Sequence, residues 1–259
     1  MKPQHTALVL IGYQNDYFSP TGILHGVIEE SSKVTNVLAN TVHLIQCLAP
    51  TPALIVTTPI FFTPNYEELI DPIGILKTIK EVGAFQAGTP GSETIKELVQ
   101  QGGSLHTIPI RPHPPTPSPK QGEGEPDQSP STHLGEGFRV RADWYTNLRH
   151  RALEPFKDRI LEVPGKRGFN AFINTNLDEI LKQRGITNIV LAGAVTSICI
   201  DSTGRAAHEK GYHVTILSDC TSARTVLEQE FYCSGIFPLY AEVVAHSELL
   251  ERMGLHSLV

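Results

Sequence analysis

Short, unbroken apolar runs alternate along this chain with longer stretches in which apolar residues return every three or four positions. The runs are Ala7-Leu8-Val9-Leu10-Ile11, Ala53–Thr57, Arg159–Val163, Asn188–Gly193, Val214–Leu217 and Tyr240–Val244. A continuous apolar run of this length predicts a strand buried on both faces. Between Glu29 and Leu48 the apolar positions Val34, Val37, Leu38, Val42, Leu44, Ile45 and Leu48 recur at helical spacing, with Ser31 and Ser32 as candidate caps. Further helices are predicted over Glu93–Gln101, from an Asn176 cap to Lys182, and over Ile198–Lys210, Val226–Ile236 and Ser247–Met253. The β-α-β-α alternation predicts an α/β fold: three α/β/α layers around a mostly parallel, Rossmann-like sheet of about six strands. Ligands in such sheets bind at the carboxyl ends of the strands, near a topological switch point.

Two stretches interrupt the alternation. Thr58–Gly91 reads mostly as loop, with several prolines and glycines. The segment 111–137 has almost no aliphatic residues and many prolines and glycines, so it cannot bury enough apolar area to offset its ordering entropy. Its flanks, 104–110 and 138–157, are ambiguous, with Trp144 and Tyr145 as surface-packing candidates. The chain thus reads as one domain over 1–259, interrupted by a disordered insertion at about 104–157, most disordered over 111–137. His106, His113 and His133 border or lie in this insertion, fit no metal-ligand spacing and are expected in solvent, as are Lys120 and the acidic run Glu123–Asp127.

Composition narrows the function classes. Of 259 residues, 40 % are apolar and 19 % charged, an ordinary globular balance, and the net charge of −6 argues against a nucleic-acid partner. No apolar run approaches the roughly 20 residues that span a bilayer, so no membrane partner is expected. The start, Met1-Lys2-Pro3-Gln4-His5, lacks the pattern of a signal peptide. Cys47, Cys199, Cys220 and Cys233 are widely spaced without a CxxC pair, which points to reduced thiols and a cytoplasmic location.

Candidate chemistry collects at the carboxyl ends of the predicted strands: Gly12–Asp16 after the first, Lys166 after Val163 and Cys199 after Gly193. A cysteine that opens a helix meets the positive end of the dipole and unpaired backbone N–H groups, which favours the thiolate and offers an oxyanion site. Strand, turn, cysteine and helix therefore make a coherent nucleophile site, though cysteine is also a common buried small residue. That second reading is the stronger one for Cys220, Cys47 and Cys233.

The segment Gly193-Ala194-Val195-Thr196-Ser197-Ile198-Cys199-Ile200-Asp201-Ser202-Thr203-Gly204-Arg205-Ala206-Ala207 resembles the nucleophile segment of the isochorismatase-like cysteine hydrolases, a superfamily that includes nicotinamidases and N-carbamoylsarcosine amidase. The resemblance continues through Gly211–Val214 and Ser218–Ser222. Gly165-Lys166-Arg167-Gly168-Phe169-Asn170-Ala171-Phe172 resembles the lysine motif, and Ala7–Phe18 the opening strand and loop. Three motifs in the right order cover nearly the whole chain outside the insertion.

This resemblance implies an Asp-Lys-Cys triad in which the cysteine attacks a carbonyl carbon, usually of an amide, and forms a thioester that water cleaves. It implies Cys199 as nucleophile, Lys166 as its partner, the backbone N–H groups of Val195 and Cys199 as oxyanion hole, and a cis peptide at Ala194–Val195. It further implies a small-molecule substrate and a homo-oligomer, dimer or tetramer. The chain departs from the pattern at Gly12, which stands where the family carries its aspartate. Asp16 or His25 is then a candidate substitute base, and the alternatives are slower chemistry on Cys and Lys alone or a ligand-binding member without catalysis. A vinyl-ether hydrolase of isochorismate type is a further alternative, less favoured because that chemistry does not need the cysteine. The nicotinamidase branch carries metal ligands after its second strand, where this chain reads Thr57-Thr58-Pro59-Ile60-Phe61-Phe62, so neither a metal nor another cofactor is expected. Gln14, Phe18, Phe61 and Phe62, in the loops after the first two strands, are pocket candidates, with packing beneath those loops as the other reading.

Overall fold

The first apolar run becomes strand β1 (Thr6–Ile11), buried along its whole length with a parallel neighbour on each side. The structure is a computed structural model and describes residues 1–102, 104–107 and 159–255. The other strands are β2 (Leu54–Thr58), β3 (Ser104–Thr107), β4 (Arg159–Glu162), β5 (Asn188–Ala194), β6 (His213–Ser222) and β7 (Glu242–Val244). They form one seven-stranded sheet in the order β3-β4-β2-β1-β5-β6-β7, and every pairing is parallel. The sheet exceeds the expected six strands by β3, a four-residue strand in the flank that read as ambiguous. The rest of that segment, 108–158, with Trp144, Tyr145, His113, His133 and Lys120, lies outside the described residues.

Successive side chains of a strand point to opposite faces, and β1 divides its residues accordingly. Leu8 and Leu10 join one core cluster, with Leu44, Ile45 and Leu48 of one helix and Leu249 and Leu250 of another. Ala7, Val9 and Ile11 join the second cluster, with Leu177 and Leu181. Burying one such aliphatic side chain contributes about 1.5–3 kcal/mol, so a layer of helices on each face is what makes this strand pattern stable. The described residues of this sheet and its helices belong to one compact unit.

The helices follow the periodicity with instructive shifts. The helix expected over Glu29–Leu48 is two, α2 (His25–Thr35) and α3 (Val37–Leu48), after a one-turn α1 (Asn15–Phe18). The break is Asn36, whose φ of 53° puts it in the left-handed region that asparagine tolerates better than most residues. Ser31 is therefore no cap; it sits inside α2, where its hydroxyl accepts from the Ala223 amide. The expected loop Thr58–Gly91 contains α4 (Gly74–Val82), and the helix expected over Glu93–Gln101 is α5 (Lys96–Gly102). After β4 come α6 (Leu177–Gln183), α7 (Asp201–Glu209), α8 (Val226–Phe231) and α9 (His246–Arg252). No helix among the described residues is long and apolar enough to cross a membrane.

Candidate active site

The chain leaves β1 for β2 on one side of the sheet and later enters β5 on the other, so β1 and β5 bracket a topological switch point. Ile11, the last residue of β1, pairs with Gly193 of β5 and with Thr58 of β2. Gly193 has φ 128°, and a Cβ there would stand 1.8 Å from the Ile11 carbonyl oxygen, so only glycine lets the two strands close at this point. Beyond it, the Ala194–Val195 peptide is cis.

Cys199 does not open a regular helix. It lies in a π-type turn, Thr196–Ile200, which leads into α7 at Asp201. Such wider turns often accompany functional sites. Lys166 follows β4 and is held by a parallel bridge to Ile60, the Phe61 N–H reaching its carbonyl at 3.4 Å. Its neighbour Arg167 ties the same loop down, through Glu68 at 3.1 Å and through the Phe61 carbonyl. The lysine side chain is 1 % exposed, and its Nζ donates to the Cys199 Sγ at 3.7 Å. Cys199 itself is 8 % exposed.

A small cleft lies over this pair. It is lined by Gly12, Tyr17, Lys166, Ala194, Val195 and Cys199 together with the apolar Ile60, Ile75, Ile79, Phe85, Phe169 and Ile198. Lys166 is the only lysine, arginine, aspartate or glutamate in that lining among the described residues. The Tyr17 phenol is pushed up by burial first, then by Cys199 and Asp16, so it stays protonated.

Gly12 stands at the mouth of β1, where its φ is 72°. A Cβ here would meet the Ala194 carbonyl oxygen at 2.7 Å and the Tyr17 ring at 3.6 Å. The residue is thus a glycine in a backbone conformation that disfavours any side chain.

The other candidates have different work. Asp16 does not line the cleft: its Oδ2 accepts from the Phe85 amide at 2.6 Å, and a Cβ on Gly91 would stand 2.1 Å from its Oδ1. It fixes the loop that brings Phe85 to the cleft. His25 contacts the Tyr17 carbonyl at 2.9 Å through Nδ1 and is also outside the lining. Gln14, expected in the pocket, is fully buried beneath it, donating to the Ile60 and Ser92 carbonyls and accepting from the Ile60 amide. Phe18 stacks on Tyr13 at 4.7 Å and belongs to the core, as does Phe62. Phe61 contributes its carbonyl to Arg167 rather than its ring to the cleft. Sequence reading missed Tyr17, one residue from the predicted Phe18, and Ile75, Ile79 and Phe85, which come from the stretch read as loop.

Elsewhere, Asp219, Cys220 and His246 bring three ligand-type atoms within 4.8 Å of one another, and none lines the cleft. Hydrogen bonds account for their approach. The Asp219 carboxylate accepts from the His246 backbone N–H at 2.8 Å, at the start of α9, and contacts its ring Nδ1 at 2.6 Å.

Comparisons with known proteins bear on family and fold. The Isochorismatase domain model matches residues 105–248. The isochorismatase family protein YecD of Escherichia coli O157:H7 is 36 % identical over 88 residues, which is 34 % of this chain and 47 % of that protein. The chain therefore spans about half the length of that relative. The ureidoacrylate amidohydrolase RutB of Caulobacter vibrioides is 25 % identical over 227 residues, 85 % of this chain and 77 % of RutB. A cysteine hydrolase structure from Pseudomonas syringae pv. phaseolicola 1448A superposes with a TM-score of 0.67 at 17 % identity, covering 98 % of this chain and 94 % of that one.

Proposed function

The chain belongs to the isochorismatase family, and on that premise we propose that it is a cysteine hydrolase that cleaves a C–N bond of amide type in a small molecule. The observation that carries this reading is the buried Lys166 Nζ, 3.7 Å from the Cys199 Sγ at the floor of the cleft. Cys199 attacks the carbonyl carbon of the substrate, the amine departs, and water cleaves the resulting thioester. The backbone N–H groups of Val195 and Cys199, both in the cleft wall, are assigned to the developing oxyanion. The relative RutB is named for an amide-type hydrolysis, which favours C–N cleavage over the vinyl-ether alternative. The apolar lining residues Ile60, Ile75, Ile79, Phe85 and Phe169 suit a compact, uncharged acyl group. The working form is assigned to the cytoplasm as a homo-oligomer, a dimer or tetramer.

Gly12 supports a second reading, a family member that binds a ligand without turning it over, because the carboxylate position is empty of a side chain. A panel of small uncharged carboxamides, followed by ammonia or amine release, separates the two. The hydrolase reading expects release by the natural protein and none by Cys199→Ala. Equal release by both proteins, or binding with no release by either, would overturn it.

A further inference from the structure

Among the described residues, Lys166 is the one lysine, arginine, aspartate or glutamate in the cleft lining. A carboxylate triad would move the thiol proton to the carboxylate and from there to the leaving group. Here Gly12 offers no acceptor, Asp16 is committed to the Phe85 amide, and neither Asp16 nor His25 reaches the lining. The Tyr17 phenol keeps its proton. Among the described residues, what remains beside the sulfur is the Lys166 amine, 1 % exposed in a lining it shares with Ile60, Phe85 and Phe169.

We propose that Lys166 itself carries the proton of the reaction, and that the cleft for the same reason takes substrates with an uncharged acyl group. The proposal rests on Cys199 being the nucleophile. An ammonium buried without a counter-charge is costly, so its proton is tied to the state of the sulfur. The reaction runs from the ammonium–thiolate form of the pair. When the sulfur bonds to the acyl carbon, the thiolate charge disappears and the bond to the leaving group breaks. The stranded ammonium then gives its proton to that group, leaving a neutral amine beside a neutral thioester. In the second half, water adds its oxygen to the acyl carbon and its proton to the amine, and the carbon–sulfur bond breaks. Carboxylic acid leaves, and ammonium and thiolate are restored. Each half moves one proton through one nitrogen, and no other base is needed.

The same charge count sets the substrate class. Ammonium and thiolate together are neutral, so an anionic acyl group would enter an apolar cleft with no second cation in its lining among the described residues. Its desolvation would go uncompensated.

The test compares esters of one small acyl group that differ in how much their leaving group needs a proton: trifluoroethyl propionate, which needs little, and ethyl propionate, which needs one. Acylation of Cys199 is followed by intact mass after acid quench, in the natural protein and in Lys166→Met, an apolar replacement of similar length. Loss of a general acid costs about 10²–10⁴-fold, so Lys166→Met is expected to lose that much more with the ethyl than with the trifluoroethyl ester. A second variant, Lys166→Ala, guards against a folding defect: added ethylamine should restore the ethyl ester reaction selectively. Equal loss with both esters and no amine rescue would mean that Lys166 only shapes the site, and the proposal would fall while Cys199 remained the nucleophile. No acyl adduct on Cys199 in any protein would remove the nucleophile reading and this one with it. Finally, a succinyl half-ester should acylate at least about tenfold more slowly than its propionyl counterpart; an equal or faster rate would overturn the uncharged class.

Discussion

Cys199 and Cys220 sit at the carboxyl-terminal parts of two neighbouring parallel strands, Cys199 just past β5 and Cys220 within β6, and both are buried. Their surroundings differ in the sign of the nearest charge. Cys199 has the Lys166 amine at 3.7 Å and lines the cleft. Cys220 has no place in the cleft lining; burial pushes its thiol well up, and the adjacent Asp219 carboxylate adds to that. The end of a parallel strand supplies a location, then, and the neighbouring groups set how far a thiol there is favoured as thiolate.

Removing each sulfur in turn separates the two cysteines most sharply. Cys199→Ala should lower kcat/KM at least about a thousandfold. Cys220→Ala should leave it within a few-fold and lower stability by about 1 kcal/mol, as read by urea unfolding. Similar losses from both would show that the two cysteines are not different in kind.

Lys166 is what distinguishes the pair, so Lys166→Met should cost about 10²–10⁴-fold in kcat/KM. In native protein treated with limiting iodoacetamide, it should also reduce labelling of Cys199 toward the low level of Cys220, as counted by peptide mass mapping. Unchanged labelling would contradict the role given to the amine.

Gly12 tests whether the missing carboxylate can simply be put back. Its left-handed backbone and the 2.7 Å approach of a would-be Cβ to the Ala194 oxygen predict strain. Gly12→Ala should cost about 1–2 kcal/mol in urea unfolding. Gly12→Asp should lose stability to a similar degree without gaining activity on carboxamides.

The smallest effect concerns burial acting on a different acid. Glu162 at the end of β4 is pushed up by burial, partly offset by hydrogen bonds from Thr107 and Thr94. A raised carboxyl penalises the ionised form in the fold, so stability falls as pH climbs from the unfolded value of 4.5 through the higher folded one. Glu162→Gln should therefore show a small rise in melting temperature at pH 7 that disappears by about pH 4. A rise that persists at pH 4 would assign the effect to packing instead.

Much of this was legible in the chain, for physical reasons. Strands β1 and β5 are buried on both faces, so they read as unbroken apolar runs. Cys199, Lys166 and Gly12 all follow predicted strands, and the structure brings them into one cleft. What escaped depends on tertiary contacts. Ile75 and Ile79 share a face of α4, an i,i+4 pair that carried a helical signal, but the prolines and glycines around it masked the element. Phe85 reaches the cleft because Asp16, far away in sequence, holds its amide. Gln14 and Phe18 follow β1 as a pocket residue would, yet the one-turn helix α1 rotates Tyr17 toward the cleft and leaves them to the core. Strand β3, four residues long, is too short to rise above its proline-rich surroundings.

The central claim is that Cys199, and not its neighbour, becomes covalently acylated during turnover. Acid quenching of the protein during hydrolysis of a small uncharged carboxamide or ester, followed by peptide mass mapping, tests it directly. The peptide carrying Cys199 should bear an acyl mass, and that carrying Cys220 none. Turnover with no adduct on Cys199, or turnover that survives Cys199→Ala, would contradict it.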